Sequence, residues 1–190
     1  MKQTNLYEIR ERALKSSRAV YSAQQLANLV GKPKSVAKVY LSRLANKGLA
    51  TKILRGRIAF TDDDFVIASQ LLEPAYVSLH SALLFHGLVQ QVPKNVECAT
   101  PRKSRTYASL GLTYHKIPSS LFYGYEKHRR GQSYVFMASL EKALVDGVYL
   151  NAFPKKLVSE LMEKVDSEKL ESYVKRFKGT GRKKLEKWLL

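Results

Sequence analysis

A helix-forming run that opens at Ser22 is stopped by Gly31, Lys32 and Pro33, and a second amphipathic run begins at once. Two short helices with so tight a turn between them leave few arrangements open to the chain. Ser22, followed three residues later by Gln25, reads as a capping box, and Leu26, Leu29 and Val30 supply a buried stripe. Upstream, Leu6, Ile9, Ala13 and Leu14 recur at helical spacing and predict a first helix over residues 4–16. Ala19, Val20 and Tyr21 follow as a short strand. Beyond Pro33, Val36, Ala37, Tyr40, Leu41 and Leu44 fall on one arc of a third helix, and Ser35, Lys38, Val39, Ser42 and Asn46 on the opposite one. Gly48 stands where a glycine C-cap belongs. The runs LATKIL and RIAF then flank Arg55 and Gly56 as a hairpin.

Helix, short helix, turn, helix and hairpin is the order of a winged helix-turn-helix, whose third helix enters the major groove of DNA. Charge agrees with that use. Of the 190 residues, 33 are Lys or Arg and 16 are Asp or Glu, a net of +17. Thirteen of those bases, against only Glu8 and Glu11, lie in residues 1–61. Such an excess calls for a polyanionic partner, nucleic acid before an anionic membrane. The residues expected to meet double-stranded DNA are Lys34, Ser35, Lys38, Val39, Ser42, Arg43 and Asn46 on the third helix. Arg55 and Arg57 on the hairpin would make phosphate or minor-groove contacts. The competing use of such a module is protein contact.

Asp62, Asp63, Asp64 and Glu73, with Pro74 behind them, mark a change of domain. Asp62–Asp64 read as a helix N-cap with acids in the first turn. The expected domains are a winged helix-turn-helix over 1–70 and an α+β domain over 71–190. In the second, Tyr76–His86 has a helical pattern stopped by Gly87. Strands are expected at Val96–Ala99, Tyr114–Ile117 and Tyr134–Met137, with a tyrosine-rich connection holding Phe122, Tyr123 and Tyr125. Arg102, Lys103 and Arg105 make a basic loop. Ser139 caps a helix carrying Leu140, Ala143, Leu144 and Val148, and further helices are expected at Lys155–Lys164, Ser167–Phe177 and Arg182–Leu190. Strands in the middle and helices at the end give an α+β fold class.

Four stretches of this domain resemble AbiEi-type antitoxins. They are the run Tyr76–Gly87; the strand ending Ala99-Thr100 with Lys103, Ser104 and Arg105; Phe122-Tyr123-Gly124; and, most specifically, Ala138-Ser139-Leu140-Glu141-Lys142-Ala143-Leu144-Val145-Asp146. The last looks like that family's (A)S-x-EKA-x-x-D helix. The resemblance covers nearly the whole chain, since the family also begins with a winged helix. It implies a repressor that binds operator repeats in its own promoter. It also implies the antitoxin of a type IV toxin–antitoxin pair, linked to abortive phage infection. Its cognate partner would be a nucleotidyltransferase-like toxin, countered without a stable complex. Lys103, Arg105, Glu141, Lys142 and Asp146 are the antitoxin candidates this resemblance carries over. Read by themselves, Glu141 suits the start of a helix and Lys142 with Asp146 is spaced as a helix-surface pair.

Signals for catalysis are thin. His80 and His86, six apart, face opposite sides of a helix, and His115 and His128 have no evident partners. A nucleophile elbow, phosphate-cradling glycine loop or His-Glu-x-x-His is missing, and no Asp or Glu is followed two positions later by Lys. No catalytic residue, metal site or cofactor is therefore assigned. Cys98, the single cysteine, reads as a small core residue. Nothing approaches eighteen consecutive apolar residues, and the N-terminus lacks a signal-peptide core. The expectation is a cytoplasmic regulator that is not an enzyme. The alternative places the activity in a basic C-terminal domain that binds or processes RNA.

Overall fold

Local signals set most of the element boundaries. The computed structural model describes residues 5–190, and the expected helix start at residue 4 lies outside them. Two compact units form, one of residues 1–73 with 128–135 and one of residues 74–127 with 136–190.

In the first unit, Asn5 accepts from the Tyr7 N–H and starts α1, Leu6–Lys15. The strand β1, Val20–Ser22, leads into α2, Ala23–Val30, through the expected capping box: Gln25 N–H to Ser22 Oγ at 3.3 Å and Ser22 N–H to Gln25 Oε1 at 2.8 Å. Gly31 ends α2 with φ 62°, a left-handed turn that suits glycine. The next helix, α3, covers Lys34–Asn46. Strands β2, Thr51–Leu54, and β3, Arg57–Ala59, pair antiparallel, and β1 joins β3 on its other side. Ile9, Leu26, Ala37, Leu44 and Ile58 are buried together and hold the three helices to this sheet. Val36, expected on the buried arc of α3, is instead 37% exposed.

Asp63 caps α4, Asp64–Leu71, by accepting from the Phe65 and Val66 N–H groups. One side chain of α4 ties three stretches together. Gln70 accepts from the Ala19 and Val20 N–H groups at 2.9 and 3.2 Å, and donates to the Tyr134 carbonyl at 2.9 Å and Ser133 Oγ at 3.0 Å. Residues 128–135 are thereby a part of the first unit that arrives late in the sequence.

The second unit holds β4, Tyr76–Val77; β5, Val96–Thr100; β6, Arg105–Tyr107; β7, Leu112–Lys116; and parts of β8, Tyr125–Arg130, and β9, Ser133–Ala138, whose residues 128–135 fall in the first unit. They form one mixed sheet in the order β6-β7-β5-β4-β9-β8. β4 runs parallel to β9 and antiparallel to β5, which is parallel to β7. Its helices are α5, Leu79–Phe85; α6, Leu140–Tyr149; α7, Lys155–Met162; α8, Ser167–Val174; and α9, Gly179–Leu189. The fold class is mixed α+β.

Two expectations fail here for physical reasons. The helix expected over Tyr76–His86 is a central strand followed by a shorter helix. Tyr76 and Val77 are buried and pair with Ala99 and Cys98, and Leu79 takes a left-handed φ of 54° that separates strand from helix. The connection holding Tyr125 contains an unexpected strand, β8. Its Tyr-Glu-Lys-His-Arg-Arg sequence lacks apolar alternation because it is an edge strand, where charges discourage pairing with other chains.

Candidate functional site

On α3, turns of 100° per residue separate Ala37, Tyr40, Leu41 and Leu44, which are buried, from Lys34, Ser35, Lys38, Val39, Ser42, Arg43 and Asn46, which are exposed. The hairpin of β2 and β3 folds back beside that exposed arc, its tip turned by Gly56 at φ 73°. Between helix and hairpin lies a concavity of about 330 Å³ bordered by Lys38, Ser42, Asn46, Lys52, Arg55 and Arg57. Four of these six are cations, and no acidic side chain borders it among the described residues. Five are residues singled out from the sequence, brought together from two elements. The others named on α3, Lys34, Ser35, Val39 and Arg43, are exposed but do not border the concavity; Val39 is 47% exposed.

Lys52 was missed. The register of β2 against β3 slips between Lys52 and Leu54, a bulge with no signature in the sequence. Its nearness to Arg55 on a basic hairpin was the available signal. The arrangement offers cations with hydroxyl and amide groups to an anionic surface.

The candidates in the second unit separate into two kinds. Lys103 and Arg105 are exposed, and the Arg105 guanidinium lies 5.2 Å from the Tyr107 ring centroid and donates to its hydroxyl at 3.2 Å. Lys142 and Asp146, expected as a helix-surface pair, are sealed inside, with side chains 0% and 1% exposed. Lys142 Nζ donates to Asp146 Oδ1 at 2.6 Å, while Asp146 Oδ2 accepts from Tyr76 Oη at 2.9 Å and Ser78 Oγ at 2.8 Å. The ammonium also lies 4.7 Å from the Tyr123 ring centroid. Helical spacing places two residues on one face but does not say which way that face looks; here it looks at the sheet. Burial, and then Asp146, push the Tyr76 phenol well above its ordinary pKa. Such a cluster holds β4 against α6.

Glu141 is also nearly covered. Burial works against its charge, but the Lys169 ammonium at 2.9 Å and the Ser139 hydroxyl at 2.8 Å bring its pKa below the ordinary carboxylate value.

His115, expected to be without a partner, lies 3.6 Å from Glu97 Oε1, and His80 Nδ1 meets Glu97 Oε2 at 3.1 Å. Burial would raise the Glu97 pKa, yet the two imidazoles together hold it at about 2. His86 Nε2 bonds the Ala138 carbonyl at 2.9 Å. The histidines meet different oxygens of Glu97, and among the described residues no three His, Cys, Asp or Glu side chains are placed to hold a metal ion. Cys98 is fully buried, and burial pushes its thiol pKa far up. No described helix is long and apolar enough to cross a membrane.

Compared with known proteins, the sequence matches no protein-family model and no curated protein.

Proposed function

We propose that this chain is a winged helix-turn-helix repressor that binds double-stranded DNA at its own promoter. The helix α3 enters the major groove, and the β2–β3 hairpin is the wing that grips the backbone. The observation that carries this reading is the joint border of one carboxylate-free concavity: Lys38, Ser42 and Asn46 from the helix, Lys52, Arg55 and Arg57 from the hairpin. Cations on a hairpin beside a helix face of small polar side chains combine backbone grip with close approach to base edges.

On the resemblance to AbiEi-type antitoxins, the protein is further the non-enzymatic, cytoplasmic antitoxin of a type IV pair, countering a nucleotidyltransferase-like toxin without binding it stably. Lys103 and Arg105 are the candidates open to solvent for that role. Glu141, Lys142 and Asp146 support it only through the shape of the unit.

The test is electrophoretic mobility shift of the full chain on its own upstream DNA, with random DNA of equal length as competitor, at about physiological salt because phosphate-driven binding varies steeply with it. A discrete shift that survives the competitor is expected. A smear that the competitor abolishes would leave only non-specific grip and overturn the repressor reading.

A further inference from the structure

A larger basic concavity, about 880 Å³, lies wholly within the second unit. The end of β7, the short turn Ser119–Leu121, the C-terminal end of α6 and the connection from α8 to α9 border it. Four cations line it, Lys116, Arg176, Lys178 and Lys184, and none of its bordering residues is acidic. Among the described residues, no carboxylate lies within ion-pair range of any of the four. Their partners are neutral. The Arg176 guanidinium sits 4.3 Å from the Tyr123 ring centroid, and Lys184 Nζ donates to the Val148 carbonyl and Asn151 Oδ1. Four like charges held around one hollow repel each other until an anion enters.

We propose that this concavity binds the phosphate groups of a nucleotide ligand, supplied as a free nucleotide or as part of an RNA strand. The volume lies within the roughly 300–1,000 Å³ of small-ligand sites, so it holds a nucleotide rather than a lone ion. Lys184, anchored by neutral acceptors, fixes one cation at the inner wall, and the exposed Lys116, Arg176 and Lys178 close over the phosphates from the rim. The first turn of α9, which has no side-chain cap, adds backbone N–H donors at the same border. Gly181 lets that turn approach the Tyr149 ring, since a Cβ there would stand 3.2 Å from Tyr149 Cε2. Every bordering residue lies in the second unit, so the inference stands apart from the DNA-binding reading.

The experiment measures binding of ATP, and separately of a short single-stranded oligoribonucleotide, to the full chain. Comparison variants are Lys116→Ala/Lys178→Ala in the concavity, Lys52→Ala/Arg55→Ala in the first unit, and Lys156→Ala/Lys164→Ala, which removes equal charge elsewhere. Binding of at least one probe should weaken about tenfold or more in the first variant alone, as expected for losing charge-assisted hydrogen bonds. Thermal melting checks that each variant folds, and Lys178→Glu carries the same test should the double variant not. Loss of ATP binding assigns a free nucleotide, and loss of RNA binding without ATP binding assigns a strand. Neither probe binding, or equal loss in either control variant, overturns the proposal.

Discussion

Lys38 and Arg55 border the same concavity but differ in reach, one on a helix face and one at a hairpin tip. If α3 reads bases, Lys38→Ala or Ser42→Ala should cost about 1–3 kcal/mol of preference for operator over random DNA. Arg55→Ala should weaken all sequences alike and flatten the salt dependence by about one phosphate contact. Equal loss on both DNAs from the helix variants, read by competition binding, would remove α3 from the recognition role. Glu97 makes a separate residue-scale prediction. Its carboxyl falls from an ordinary 4.5 to about 2 in the fold. A depressed pKa contributes stability that is present above 4.5 and is lost as pH falls toward 2. Glu97→Gln should therefore be less stable than the parent chain near neutral pH. The gap should close across that acid window in urea melts taken at a series of pH values.

At the scale of elements, the Lys142–Asp146 pair fastens α6 to β4 through Tyr76 and Ser78. Lys142→Met leaves a buried carboxylate without its cation and should destabilise the fold by about 3–5 kcal/mol. Lys142→Met/Asp146→Leu removes both charges and should recover most of that loss, as seen by denaturant unfolding. Recovery that fails to appear would mean that Asp146 matters through its bonds to Tyr76 and Ser78 rather than through the pair. The elements themselves were legible wherever the signal is local. Ser22, Asp63 and Ser139 announce helix starts because a cap bonds within three residues. What decides β4, β8 and the inward turn of Lys142 is the neighbour each meets across the sheet, which a one-dimensional pattern does not contain. Five of the six residues named on the concavity were legible, because α3 has its own periodicity and Arg55 and Arg57 flank the hairpin glycine; Lys52, beside a shift in the β2–β3 register, was not.

At the scale of the whole molecule, both units carry a basic concavity without carboxylates, one of about 330 Å³ and one of about 880 Å³. Together the two concavities hold eight of the 33 Lys and Arg residues and none of the 16 Asp and Glu residues. Residues 128–135 belong to the first unit, and Gln70 spends half of its hydrogen bonds on Ser133 and Tyr134. A fragment of residues 1–73 should accordingly melt well below the same unit in the full chain, measured by circular dichroism. An equal melting temperature would show that the late segment adds no stability. This connectivity also sets an order of events during synthesis. A chain leaving the ribosome holds an unfinished first unit until residue 135 of 190 has emerged, by which point about half of the second unit's residues have also been made. A product that ends before residue 135 would lack a complete first unit; if that unit is the one that grips promoter DNA, as proposed above, such a product would not compete with the full chain for it.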